Sequence, residues 1–462
     1  MTATLSPSPS DSPRRFPRVP GPPIVNNLFQ GLRDRLGLLT RSADTYGADV
    51  HLRFLHLDYL LLTGAESMQH VLVTHPERYE KSNNYDGLKI VLGNGLLTSE
   101  GSFWKCQRRL MQPAFHKQEL AGFVDTMNEA TLAALARIET EQGAGRTFDL
   151  HTELMRLTFR IVGLTLLSRD LDGEARAVGD ALAIGLRWAN EHVESLVRIP
   201  QWVPTPNNRR FAEAKRTLDT LVLRIVGERR AAATDPDRRR DLLDMLLQAK
   251  DADTGEVMSD EQIKHELLTL ILAGHETTAN ALTFLYYALS RHPEVREKVR
   301  QEVDTVLGDR MPTPADLKKL EYVTCVIEET MRLYPPAWIF ERQANQDDVV
   351  AGVPVKKGMV MMLCPYVVHR SARYWDDPLR FDPERFRPER RGAIGKHVYM
   401  PFGAGHRFCI GNSFAMMEMQ AIVAVLARRC RFEVTPGYEP ELEAMVTLRP
   451  KHGLPVTYAP VP

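Results

Sequence analysis

Apolar residues return every three or four positions through most of this chain, from Glu66 to about Thr330, which predicts helices rather than strands. Clear stretches are Asn128 to Glu141, Glu174 to Val197 and Arg209 to Arg230. The last two are separated by IPQWVPTPNN, a proline-punctuated loop. The longest periodic run opens at Ser259, which has capping-box spacing with Gln262, and stops at His292, ahead of Pro293. It spans about 33 residues, or roughly 50 Å at 1.5 Å per residue, enough to cross a whole domain. Two short apolar runs, His51 to Phe54 and Tyr59 to Thr63, flank a turn and predict a hairpin. Beyond Pro335 the pattern changes to short strands and turns (AGVPVKKGMVMML), then to an irregular Pro- and Arg-rich stretch (FDPERFRPERR). A last helix, about Asn412 to Arg429, and a strand-like tail follow. The fold class expected is mainly α with a small β portion.

Length alone suggests about three domains. No linker divides the chain, however, so residues 24–462 are read as a single domain. Residues 1–23 carry seven prolines and form an extended, partly disordered lead with no apolar stretch of a signal peptide. Lys plus Arg and Asp plus Glu each number 59, so the formal charge is zero, which argues against bulk electrostatic binding to nucleic acid. No apolar run reaches the ~18 residues of a membrane span, so no membrane anchor is expected. Five cysteines, none in a CxxC pair, fit a reducing compartment and exclude a zinc ribbon. A cytoplasmic location and a monomer are expected.

Four motifs carry candidate chemistry. PFGAGHRFCIG, residues 401–411, is a glycine-rich loop that ends at a helix start. Its glycines allow the backbone to lie close to a flat ligand, and its N–H groups can stabilise a Cys409 thiolate. Such a thiolate is a nucleophile or the axial ligand of a haem, and the alternative is a buried structural cysteine in a turn. Ala273-Gly274-His275-Glu276-Thr277-Thr278 interrupts the apolar long helix. Threonine hydroxyls bonded to the i−4 carbonyl predict a bend there, with a hydroxyl and a carboxylate on the inner face. HExxH is not met, because position 279 is Ala and position 269 is Thr, so a zinc protease of that type is excluded. Glu329 and Arg332 are i, i+3 neighbours, and Arg385 in PERF can complete a triad with them. Trp104 and Arg108 lie one helical turn apart, able to grip a carboxylate or to pair as ring and cation.

Taken together and in this order, these motifs resemble the cytochrome P450 family of haem-thiolate monooxygenases over nearly the whole chain after the lead. The family's cysteine-loop pattern F-x-x-G-x-R-x-C-x-G is met by Phe402, Gly405, Arg407, Cys409 and Gly411. Its central-helix pattern is met by Ala273 to Thr278, its E-x-x-R pair by Glu329 and Arg332, and its PERF-like segment literally. The resemblance implies the P450 fold, with the long helix crossing a haem b. It implies Cys409 as iron ligand, Thr277 as the residue that helps deliver protons, and Glu276 as its acidic neighbour. Trp104, Arg108 and Arg407 are implied as propionate partners. Arg342, ten residues past Arg332, matches another such arginine, and Lys81 is a further candidate. Phe402 and Ala273 fall at haem-contacting positions.

The implied reaction is reductive activation of dioxygen and insertion of one oxygen atom into a C–H bond. No fused flavin or iron–sulfur module is read in the sequence. Electrons are therefore expected from NAD(P)H through a separate ferredoxin or flavodoxin with its reductase. Trp at position 104 resembles the fatty-acid-hydroxylase and eukaryote-like branch among soluble bacterial members. Rival readings are a peroxygenase or isomerase of the same fold, and a haem-based sensor. The Glu276–Thr277 pair favours the monooxygenase. The substrate expected is a medium-sized apolar molecule, fatty acid or terpenoid-like. Candidate pocket residues are Leu88, Val91, Leu92, Leu270, Ala273 and Ala337, Trp338, Ile339 and Phe340. The IPQWVPTPNN loop and its flanking helices are read as a mobile lid, with Trp202 near the entrance.

Overall fold

A computed structural model of the chain describes residues 15–194, 199–231, 241–250, 255 and 257–461. Helices dominate, as the apolar period requires, and small sheets sit to one side. The central helix is Asp260–Arg291, 32 residues long. Ser259 caps it by accepting the Gln262 N–H at 3.2 Å. The reciprocal half of the capping box is not made, because the Gln262 amide donates instead to Asn94 O (3.1 Å) and Glu266 Oε1 (2.6 Å). The helix is buried along most of its length and packs most extensively on Leu150–Leu166. Gly274 lies at that crossing, where a Cβ would stand 3.0 Å from Val162 Cγ2. The expected local opening does not occur. Thr277 Oγ1 does donate to Ala273 O (2.6 Å), but as a bond added to an uninterrupted helix.

The hairpin forms from Asp49–Phe54 and Leu57–Leu62, paired antiparallel. Leu57–Leu62 then pairs in parallel with Val360–Leu363. That strand pairs antiparallel with Phe340–Ala344, which in turn pairs with Tyr79–Glu80. The register sets Glu80 opposite Gln343, so that Lys81, just past the edge strand, comes beside Arg342 on the inner strand. Residues 1–14 of the lead lie outside the described residues. From Arg15 onward the lead is held against the sheet: His51 N donates to Pro17 O (2.8 Å), Val19 N to His51 O (2.9 Å), and Val19 is buried.

Two apolar cores result. The larger gathers the helices around the central one. The smaller lies under the five-stranded sheet and contains Val50, Leu52, Leu61, Met362 and Trp338. No helix among the described residues is long and apolar enough to cross a membrane.

Candidate active site

The cysteine loop is built by glycines in the left-handed region, and at Gly405 there is also no room for a side chain. Gly403 and Gly405 have φ of +74° and +70°. A Cβ on Gly405 would lie 1.8 Å from Leu72 O, so the loop is pressed onto the segment between the hairpin and the edge strand Tyr79–Glu80. Cys409 N donates to Phe402 O (3.0 Å), which closes the loop on itself. Cys409 keeps accessible surface, yet burial pushes its thiol pKa up; the Gly411 N–H and the Arg108 guanidinium pull the other way. That surface therefore opens into the fold rather than to bulk water. By contrast Cys325, Cys364 and Cys430 are buried, and desolvation pushes their thiols up to about 11, 12 and 12.

Three cations from distant parts of the chain converge beside this loop. Lys81 is driven well down by burial and then by the Arg407 and Arg342 charges. Arg407 is lowered to about 10, first by burial, with Arg342 adding repulsion and Glu100 attraction. Glu100 is ion-paired to Arg407 and accepts the Lys81 backbone N–H (3.1 Å). Arg407 lies 3.9 Å from the centre of the Trp104 ring, and Trp104 meets His406 edge-on at 5.2 Å. Three positive charges against the Glu100 carboxylate leave an excess that suits a dianionic ligand. Haem carries two propionates, and the accessible sulfur is the donor its iron takes in this class. The residues present fit the group. Arg108 sits elsewhere: it donates to Phe408 O (2.8 Å), beside the cysteine, and acts on the sulfur rather than joining the other cations.

On the central helix, Ala273 is exposed and Gly274 and Thr277 are half-buried, amid neighbours that are fully buried. Leu270, one turn earlier, keeps 8% exposure. This is the stretch that presents surface within the helical layer. Glu276 does not share it. Adjacent helix residues point about 100° apart. The Glu276 carboxyl is buried, with Oε1 accepting from Thr447 Oγ1 at 2.6 Å. Burial raises its pKa, while the Thr447 bond and the Arg449 charge oppose this. The expected common inner face for hydroxyl and carboxylate is thus corrected.

Glu329 and Arg332 are both fully buried, joined by Arg332 Nε–Glu329 Oε2 (2.6 Å) and Nη2–Oε1 (2.8 Å). Arg332 also donates to the carbonyls of His369, Pro378 and Arg380, and Glu329 accepts the Asp382 N–H (2.8 Å). Arg385 Nε stands 3.6 Å from Glu329 Oε1. The triad ties the helix Glu321–Leu333 to the PERF segment.

Among the pocket candidates, Trp338 is removed. It is 1% exposed, belongs to the core under the sheet, and donates its Nε1–H to Met445 O (2.8 Å). Ile339 packs against the same core. Leu88, Val91 and Leu92 are buried in the main core; Val91 Cγ1 would lie 3.0 Å from a Cβ on Gly185, so it packs toward the helix Ala175–Glu194. Ala337 and Phe340 remain half-buried. Trp202 is 83% exposed. The loop around it is clamped, because Asn208 donates to Pro200 O (3.0 Å) and Val203 O (2.8 Å) and accepts from Trp188 Nε1 (2.9 Å). Residues 195–198 of the supposed lid lie outside the described residues. Glu100, His406 and Thr447 escaped the sequence reading; Glu100, N-cap of the Trp104 helix and four residues before Trp104, had a positional signal, and Thr447 had none.

An accessible cysteine sulfur on a glycine loop, a cationic cradle and a long helix with small residues at its middle define a haem-thiolate oxygenase. The cytochrome P450 family model matches residues 17–455, and the chain belongs to the cytochrome P450 family as a monooxygenase. Among its relatives, cyclooctat-9-en-7-ol 5-monooxygenase of Streptomyces melanosporofaciens is 33% identical over 442 residues, covering 95% of this chain and 94% of that protein. Cyclooctatin synthase of the same organism is 34% identical over 442 residues, with 96% and 93% covered. Human cytochrome P450 4V2 is 33% identical over 416 residues, with 85% and 78% covered.

Proposed function

We propose that this monooxygenase hydroxylates an apolar small molecule, fatty acid or terpenoid-like, with electrons drawn from NAD(P)H through a separate ferredoxin or flavodoxin and its reductase. The observation that carries the substrate class is the helix stretch around exposed Ala273, with half-buried Gly274 and Thr277 and buried Leu270: three apolar positions and a hydroxyl already bonded to Ala273 O. A highly polar substrate would meet few partners there and would leave its own groups unpaired. The named reaction of the cyclooctat-9-en-7-ol relative supports the same class. The protein acts as a monomer in the cytoplasm, as one folded unit that takes in the end of the lead, since residues 17–19 pack on the sheet.

Cys409 would hold the iron of a bound haem, aided by the Gly411 N–H and Arg108, which favour the thiolate. Lys81, Arg342 and Arg407 would hold its propionates, with Trp104 packed against Arg407, and Phe402 and Ala273 would contact the ring. When bound, the haem supplies dioxygen activation and transfer of one oxygen atom to a C–H bond. Thr277 would pass protons on from its hydroxyl, and Glu276, a carboxyl whose pKa burial has raised, would be their source. That pair favours dioxygen over a peroxide-driven or isomerase chemistry.

The test is a titration of the ferric haem absorption band with fatty acids, terpenes, steroids and sugars. Shifts with fatty acids or terpenes are expected; shifts with sugars alone would overturn the substrate class.

A further inference from the structure

The buried carboxyl of Glu276 ends a directed chain of hydrogen bonds. Thr447 Oγ1 donates to Glu276 Oε1 at 2.6 Å. Asn280 Nδ2 donates to Thr447 Oγ1 at 3.3 Å, and Asn280 Oδ1 pairs with His151 Nε2 at 2.9 Å. An amide oxygen only accepts, so the hydrogen of that last bond sits on the imidazole. Every donor in the series then points one way, from half-buried His151 to Glu276. Asn280 is one turn after Glu276 on the same helix face and is 0% exposed.

Thr447 is held as firmly as the groups it joins. It lies in the turn between the paired strands Leu442–Ala444 and Leu448–Pro450. Met445 N donates to Thr447 O (3.1 Å) and Leu448 N to Pro336 O (2.9 Å), while Met445 O receives the Trp338 indole (2.8 Å). The Arg449 guanidinium, fixed on Glu443 Oε2 at 2.7 Å, adds its charge near Glu276. An amide in the series passes no proton without changing to its imidic form, so this chain orients rather than conducts.

We propose that Thr447 is a positioning residue of the oxygenation reaction: backed by Asn280 and His151, its hydroxyl docks the Glu276 carboxyl on the C-terminal hairpin, and Glu276 serves Thr277 from that anchored position. This rests on the proton-delivery reading above. Without the hydroxyl, Glu276 is left buried and unanchored, and its proton reaches Thr277 less reliably.

The experiment compares haem-loaded full chain carrying Thr447→Val, Thr447→Ser, Glu276→Gln, Thr277→Ala and the double variant Glu276→Gln/Thr447→Val. The first readout is the infrared carboxyl band that vanishes in Glu276→Gln. It moves in Thr447→Val, which lacks the donor, and returns in Thr447→Ser. The second readout is peroxide released per NADPH oxidised, with dodecanoic acid as probe and a plant-type ferredoxin and its reductase as donors. Thr447→Val raises that ratio about twofold or more, Thr447→Ser restores it, and the double variant releases no more peroxide than Glu276→Gln alone, as expected for two residues acting as a unit. Haem content and the carbon monoxide band stay at the parent level. An unmoved infrared band, an unchanged ratio in Thr447→Val, or additive effects in the double variant overturn the inference. If Glu276→Gln and Thr277→Ala also leave the ratio unchanged, the proton-delivery reading itself fails; if they raise it and Thr447→Val does not, the positioning role alone fails.

Discussion

At the scale of single residues, the sulfur and the glycine that presents it are inseparable. Gly405 has φ +70° and no room for a Cβ, which would sit 1.8 Å from Leu72 O. Gly405→Ala therefore shifts the loop away from that segment, and purified protein should carry less than half the haem of the parent, checked by haem absorbance per protein. Cys409→His tests the ligand itself. Reduced protein with carbon monoxide shows the red-shifted Soret band of thiolate ligation in the parent and loses it in the variant; a retained band would mean another ligand. Both residues were legible from the loop because glycine spacing around one cysteine is a local pattern. Trp338 was not. Its place beside the two prolines said nothing of which side of the strand it would enter, and its indole settled under the sheet on Met445 O.

At the scale of elements, the polar stretch of the central helix and the E-x-x-R pair answer different questions. Sequence periodicity located the central helix within a residue at each end, since capping at Ser259 and the stop before Pro293 are local effects. Periodicity also implies that Glu276 and Thr277 diverge, but only the distant hairpin bearing Thr447 decides where the carboxyl rests. Thr277→Ala leaves the helix intact, because its hydroxyl adds to a ladder already complete. Substrate-induced spectral shifts should remain, while product per NADPH falls and peroxide rises; unchanged coupling would assign proton delivery to another group. Glu329→Ala acts on the scaffold. It leaves the Arg332 guanidinium fully buried without its carboxylate, and breaking a buried pair from one side costs ~3–5 kcal/mol. Little folded, haem-loaded protein should be recovered. Full yield and occupancy would mean that the carbonyls of His369, Pro378 and Arg380 suffice to hold Arg332.

At the scale of the whole molecule, the cationic cradle exists only because the fold brings three remote segments together. Lys81 follows the edge strand Tyr79–Glu80, Arg342 lies on its partner Phe340–Ala344, and Arg407 comes from the cysteine loop. The sheet order that joins the first two mixes parallel and antiparallel neighbours, a long-range pairing that no local pattern encodes. Motif spacing could suggest each residue, but not that their charges would crowd one another around Glu100. That crowding gives opposite signs for stability and for binding. Burial and then the Arg407 and Arg342 charges disfavour the Lys81 ammonium in the protein without haem. Lys81→Gln removes that penalty, so the haem-free protein should melt ~1–3 °C higher than the haem-free parent. The same change removes one partner for a propionate, so haem should leave the variant faster, measured by transfer to an excess of an apo-globin acceptor. A haem-loaded parent should melt above its haem-free form, and Lys81→Gln should narrow that gap from both sides. A variant that lowers the haem-free melting temperature instead would show that the ammonium is stabilised by the Tyr85 ring 4.9 Å away and by Glu100 more than it is strained by its neighbours.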